Sequence, residues 1–140
     1  MSYLLDTCAI SEMVAAEPNQ NVLHWFENQP QETLYLSVIT SGEIQKGIYQ
    51  LPGGKRRLQL EAWLFDVLLP TFQGRILEVD EKLITTWAKM AADFKNKGLP
   101  RPSFDSLIEA TALQHNFILV TRNVKNFRDS NATIINPWET

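Results

Sequence analysis

Five short apolar runs recur along the chain, and the stretches between them carry helical rather than strand periodicity. The runs cover residues 3–5, 34–39, 75–79, 117–121 and 132–135. Helices are predicted over residues 7–16, 21–28, a segment opening at Thr40 or Ser41, and residues 55–69, 81–97 and 103–114. In residues 81–97, Leu83, Ile84, Trp87, Met90, Ala91 and Phe94 form one amphipathic stripe. Pro18-Asn19, Pro52-Gly53-Gly54, Pro70 and Gly98 punctuate the pattern. Strands alternating with helices predict an α/β fold. Its mainly parallel β-sheet is joined by right-handed crossovers and flanked by α-helices on both faces. With 140 residues and neither repeat nor long linker, the expectation is a single domain spanning residues 1–140.

Composition narrows the classes of function. The net charge of −3 gives no global attraction for nucleic acid, so such a contact must rest on local basic patches or on metal. The single cysteine, Cys8, excludes an internal disulfide and a cysteine zinc site. It fits a reducing cytoplasm. No basic N-terminal region leads into a long apolar stretch, so no signal peptide is expected. No apolar run approaches the roughly 20 residues that span a bilayer, so no membrane role is expected and the location is read as cytoplasmic.

The first run ends on an acid, in Leu4-Leu5-Asp6-Thr7-Cys8. In open α/β sheets, ligands bind in the crevice outside the carboxyl ends of the strands. A carboxylate delivered to a strand tip is therefore sited for chemistry, although an N-cap role accounts for Asp6 equally well. Thr40-x-x-Glu43 has capping-box spacing, and that role for Glu43 stands level with metal ligation. Asp105 falls in the first turn of a helix capped by Ser103, where a carboxylate complements the macrodipole. Repetition shifts the balance. All three acids open helices on what a doubly wound sheet makes one edge. If they converge, their oxygens suit a hard divalent cation. Glu109 lies one turn beyond Asp105 on the same face, and solvent exposure is the simpler expectation for it. Thr121 and Asn123 suit the orientation of a bound water or a ligand carboxylate. Arg122 suits a phosphate, and a plain turn accounts for the same three residues.

These stretches resemble the PIN-domain fold and, within it, the VapC-type toxins of bacterial toxin–antitoxin pairs. The likeness is carried by Leu4-Leu5-Asp6-Thr7-Cys8 with Ile10-Ser11-Glu12, and by Leu36 to Thr40 running into Gly42-Glu43-Ile44 with Gly47. It continues through Asp105-Ser106-Leu107-Ile108 with Ala110-Thr111-Ala112, Leu119-Val120-Thr121-Arg122-Asn123 with Phe127, and Asn136-Pro137-Trp138. It is colinear over nearly the whole chain. It implies a Mg2+- or Mn2+-dependent endoribonuclease that hydrolyses RNA phosphodiester bonds (tRNA first, otherwise rRNA or mRNA) and so inhibits translation. It also implies a homodimer and a cognate antitoxin that neutralises it. Position by position, Asp6, Glu43 and Asp105 match the family's three acids, with Asp6 and Asp105 as principal metal ligands. Thr7, Thr121, Asn123 and Glu109 are assigned supporting or substrate-positioning roles. Asn123 stands at the family's fourth acidic position, just after the fourth strand, and Asn126 also stands where many relatives carry an acid. Cys8 replaces the Asn that commonly follows Asp-Thr.

Cations available to RNA are Lys46, Lys55-Arg56-Arg57, Arg101, Arg122 and Lys125, with Arg122 and Lys46 the leading candidates. A solvated helix start is the simpler account of residues 55–57. His24 and His115 are expected in surface or packing roles, and Cys8 in buried packing, since neither histidine is an obvious partner base for it. Trp25, Trp63 and Trp87 fall on helical stripes and belong to the core, while Trp138 is the least committed. The apolar faces of residues 22–26 and 58–69 are expected to be partly buried in a dimer or by an antitoxin segment. A haloacid-dehalogenase-type phosphatase would want a second Asp at the position of Cys8. A receiver domain would want an early acidic pair and a late Lys, and neither is clear. The stronger competitor is a catalytically weak PIN-like module that binds RNA or protein, for which Asn123 speaks.

Overall fold

The computed structural model describes residues 1–139. Strands β1 (Tyr3–Leu5), β2 (Leu34–Ser37), β3 (Ile76–Leu77), β4 (Ile118–Val120) and β5 (Ile134–Ile135) form one sheet in the order β3-β2-β1-β4-β5. Every pairing is parallel. Helices α1 (Thr7–Glu12), α2 (Gln20–Glu27), α3 (Val38–Tyr49), α4 (Lys55–Trp63), α5 (Leu69–Thr71), α6 (Glu81–Asn96) and α7 (Ser103–His115) fill the connections.

Side chains alternate across a strand, so each strand serves two cores. Leu5, Leu36 and Val120 face one side, where Ala9 and Ile10 of α1, Ile44 and Ile48 of α3, and Leu64, Leu68 and Phe72 meet them. Leu4 and Leu119 face the other side, against Ile108 and Ala112 of α7 and against Phe127. The strands are short and covered on both faces, which is why they read as continuous apolar runs. The predicted architecture is the observed one.

Several boundaries move. Helix α1 stops at Glu12 instead of residue 16, because the Glu12 carboxylate turns to accept the Asn19 backbone N–H at 2.6 Å. Met13 is consequently exposed and Asn19 caps α2. Strand β2 ends at Ser37, whose hydroxyl accepts the Ile39 N–H at 3.0 Å and caps α3. The capping box expected at Thr40 is therefore absent. Thr40 lies inside the helix, buried, with its hydroxyl unpaired. Ser103 is the first residue of α7 rather than its cap; Pro102 occupies the cap position without a side-chain bond.

The helix predicted over residues 55–69 is α4 and α5 joined by a π-helical segment, Leu64–Leu68. A proline inside a helix lacks an N–H and its ring presses on the preceding turn. Here the wider π turn sits directly before Pro70, and the helix runs on to Thr71. Leu60, Leu64, Val67 and Leu68 stand at helical spacing in the sequence, and the wider turn changes their phase. Leu64 and Leu68 are buried, whereas Val67 turns outward and joins exposed Leu58 and Phe65. On α2, by contrast, Val22 is buried and Trp25 and Phe26 pack against the core. No helix among the described residues is long and apolar enough to cross a membrane.

Candidate active site

The chain winds outward from β1 to β3 on one side of the sheet and then returns to β4 and β5 on the other. The reversal leaves a crevice between the tips of β1 and β4. Asp6 follows β1 directly, and its backbone N–H bonds the Val120 carbonyl at 3.1 Å. A helix following a parallel strand starts at the sheet's carboxyl edge, as does one leading into the next strand. That edge therefore gathers the starts of α1, α3 and α7, and with them one acid each.

Asp6 is an N-cap and a cleft residue at once. Its Oδ1 accepts the Ala9 N–H at 3.0 Å and the Cys8 thiol at 2.9 Å. Burial pushes its carboxyl above the usual value, and the bonds from Cys8, Thr121 and Ala9 offset only part of that. Cys8 is half-buried, and its thiol is pushed up to about 12, first by burial and then by the Asp6 charge. It is a neutral donor to Asp6 rather than a nucleophile. Its sulfur also accepts the Arg122 N–H at 3.4 Å and lies 3.9 Å from the Thr121 hydroxyl.

Glu43 sits in the second turn of α3, released from capping by the earlier helix start at Ser37. The Thr7 hydroxyl donates to its Oε1 at 2.7 Å. Asp105 lies in the first turn of α7. Burial raises its carboxyl most, the charges of Glu43 and Asp6 raise it further, and Glu109 adds a smaller push. The Asn126 amide, donating to Oδ2 at 3.5 Å, works the other way. Asp6, Glu43 and Asp105 line one cleft of about 400 Å3 with Thr7, Cys8, Ser11, Ile108 and Asn123. A hollow of about 470 Å3 beside Met90, Phe94 and Leu113 holds none of these three acids.

The three carboxylates share a cleft without forming a finished ligand set. Among the described residues, no three His, Cys, Asp or Glu side chains stand close enough to hold one ion. The donor chemistry nevertheless fits a hard divalent cation. All three donors are carboxylate oxygens, and the repulsion that raises Asp105 is what such a cation relieves.

Other expectations fare differently. Thr121 is buried and its hydroxyl accepts the Asn123 N–H at 3.0 Å, bracing the turn. Glu109 is not exposed. Its side chain is fully buried and paired with Arg101 at 2.5 Å. Arg101, expected among the cations available to RNA, is thereby withdrawn from solvent. Within the basic run 55–57, Arg57 pairs with Glu61 at 2.9 Å and Arg56 donates to the Val14 carbonyl at 2.8 Å. Lys46, Arg122 and Lys125 remain exposed, with Arg122 5.9 Å from the Trp138 ring centroid. Trp138, like Trp25 and Phe26, packs against the core. His24 and His115 are exposed, as expected. Two contacts could not be read from residue spacing. Asn126 reaches Asp105 only through the fold of the turn after β4. Arg101 and Glu109 stand in no helical or strand-periodic relation, so their charges alone did not pair them.

The PIN-domain family model matches residues 3–130. The VapC ribonuclease Y4jK of Sinorhizobium fredii is 40% identical over 136 residues, covering 97% of each chain. Toxin FitB of Neisseria gonorrhoeae is 36% identical, covering 96% of this chain and 97% of its own. The crystal structure of FitAcB from the same organism superposes with a TM-score of 0.94 at 36% identity, covering 99% of each chain. With a parallel sheet that brings three acids to its switch point, and with these likenesses over nearly its whole length, the chain belongs to the PIN-domain family, among the VapC-type toxins.

Proposed function

We propose that this chain, acting as one PIN-like domain over residues 1–140, is a metal-dependent endoribonuclease toxin of the cytoplasm. It hydrolyses RNA phosphodiester bonds, those of tRNA first, and so inhibits translation. The observation that carries this reading is the meeting of Asp6, Glu43 and Asp105 in one cleft at the β1/β4 crevice.

Hydrolysis adds water across one P–O bond and needs relief of charge on the phosphoryl oxygens. When bound, Mg2+ or Mn2+ supplies charge neutralisation and an activated water. Asp6 and Asp105 would be its principal holders, with Glu43 in support. The remaining groups orient these three acids. Thr7 fixes Glu43, the Ala9 N–H and the Cys8 thiol fix Asp6, and Asn126 restrains Asp105. Arg122, beside Asn123, and Lys46, one turn from Glu43, hold RNA phosphates.

The toxin name carried by one relative, Toxin FitB of Neisseria gonorrhoeae, supports a cognate antitoxin as partner. An apolar groove of about 340 Å3 formed by Val14, Ile44, Leu60 and Trp63 reaches Thr7 and Glu43, and suits a segment of that partner. Leu58 and Phe65, seven residues apart on one helical run, supply exposed apolar surface for a homodimer.

One observation favours the second reading, a PIN-like module that binds RNA or protein without efficient turnover. Asn123 lines the cleft and Asn126 touches Asp105, where a further carboxylate would strengthen metal binding. Incubating purified protein with bulk tRNA, in Mn2+ or in chelator, separates the two. New RNA ends produced by the wild type in Mn2+, and lost in Asp6→Asn and Asp105→Asn, support the nuclease. Binding without new ends in any sample overturns it in favour of the module.

A further inference from the structure

Arg101 follows Pro100 in the link between α6 and α7, and its side chain is 4% exposed. Its Nε and Nη2 bond Glu109 Oε1 and Oε2 at 2.5 and 3.2 Å, a two-pronged grip that only a guanidinium supplies. Nη2 also donates to the Arg128 carbonyl. The central carbon of the guanidinium lies over the Phe94 ring, 3.7 Å from its centroid. One buried cation thus joins α6, α7 and the segment after β4.

Stability alone does not account for it. An apolar pair of similar volume usually serves a core as well as a buried ion pair. What the pair adds is direction. Glu109 stands one turn beyond Asp105 on α7, and Arg128 closes the segment that carries Asn123 and Asn126. The first of those asparagines lines the cleft and the second donates to Asp105. The far end of that segment is anchored by buried Phe127 and by the Arg101–Arg128 bond. We propose that Arg101 and Glu109 are a positioning pair that clamps residues 123–128 onto the start of α7, setting the spacing between Asp105 and Asn126 and hence the grip on a divalent cation. The cation part rests on the nuclease reading; the clamp does not.

The test compares wild type, Arg101→Met, the pair variant Arg101→Met/Glu109→Met, and Arg101→Lys. Arg101→Met alone strands a buried carboxylate and is expected to fold poorly. The pair variant removes both charges and keeps the fold, reported by circular dichroism and melting. In it, hydrogen exchange at the Asn123 and Asn126 amides rises about tenfold while the β1 and β4 amides stay unchanged. Calorimetry shows Mn2+ binding weakened roughly 10- to 100-fold. At saturating metal, kcat for RNA falls and KM holds. If the pair variant does not fold, Arg101→Lys carries the same measurements, because it keeps the charge and loses the fork.

Wild-type exchange at residues 123–128 in a folded variant overturns the clamp. Raised exchange with unchanged Mn2+ affinity overturns its link to the cation. A wild type that neither binds Mn2+ nor cleaves RNA sinks the nuclease reading instead, and the exchange comparison then decides the clamp by itself.

Discussion

The Thr7 hydroxyl donates to Glu43 Oε1 across 2.7 Å, tying the first residue of α1 to the second turn of α3. The two helices follow neighbouring strands, so this bond spans the cleft mouth and selects one orientation of the Glu43 carboxylate. Thr7→Val keeps the shape and removes the donor. Cleavage by this variant is expected to fall about tenfold, the usual cost of losing an orienting bond beside a metal ligand. Melting should hardly change. Single-turnover cleavage rates beside thermal scans check this, and wild-type cleavage would show that the bond is idle.

Asp105→Asn tests whether the site opposes stability. Burial and the charges of Glu43 and Asp6 all disfavour the ionised Asp105. The amide removes that penalty, so the metal-free variant should melt above wild type at neutral pH, while cleavage drops roughly a hundredfold or more. A variant that melts lower would mean that the carboxylate holds the fold together.

The pH dependence follows from the same shifts. Asp6 and Asp105 titrate higher folded than unfolded, where the ordinary value is 3.8. Each folded carboxyl therefore holds its proton longer. The stabilisation this gives is fully present below the unfolded value and is lost as pH rises through the folded one. Metal-free protein should lose stability over that rise. Mn2+ should raise the melting temperature at pH 7 and leave it unchanged at pH 3.5, where the acids are protonated. Scans at several pH values, with and without Mn2+, decide it.

Cys8 should be chemically quiet. With its thiol pushed up to about 12, only on the order of one in ten thousand is ionised at pH 8. Iodoacetamide labelling of the folded protein should be far slower than after denaturation. Cys8→Ser retains a donor to Asp6 and should retain cleavage. Rapid labelling of the native protein would contradict the half-buried, Asp6-bonded thiol.

Leu58→Asp should disrupt a dimer without harming the fold. Leu58 is 66% exposed and lies on the same helical run as exposed Phe65 and Val67. Sedimentation should show a dimeric wild type and a monomeric variant with equal melting temperatures. An identical mass for both would free this face for another role.

Much of the fold was legible because strand and helix periods differ and breakers stand between them. The five runs became five parallel strands, and the acid-bearing helix starts fell on one edge. Boundaries were less legible, because they were decided by particular side chains. Ser37 took the cap that Thr40 was expected to supply, and Glu12 ended α1 by bonding Asn19. The π turn before Pro70 rotated Val67 outward, which no fixed helical period anticipates. At the site, the acids themselves could be read from strand-tip and helix-start placement. Their partners could not. Glu109 looks like an exposed helix residue until Arg101 arrives from a neighbouring link, and Asn126 meets Asp105 only through the turn after β4.

The strand order has a consequence for a cell that makes this protein. A ribosome releases Asp6 well before the strand that completes the central crevice, Ile118–Val120. A nascent or prematurely terminated copy carries the first two acids with no opposite wall to set them against. A chain that stops behind α7 keeps all three acids yet lacks one wall of the crevice between β1 and β4.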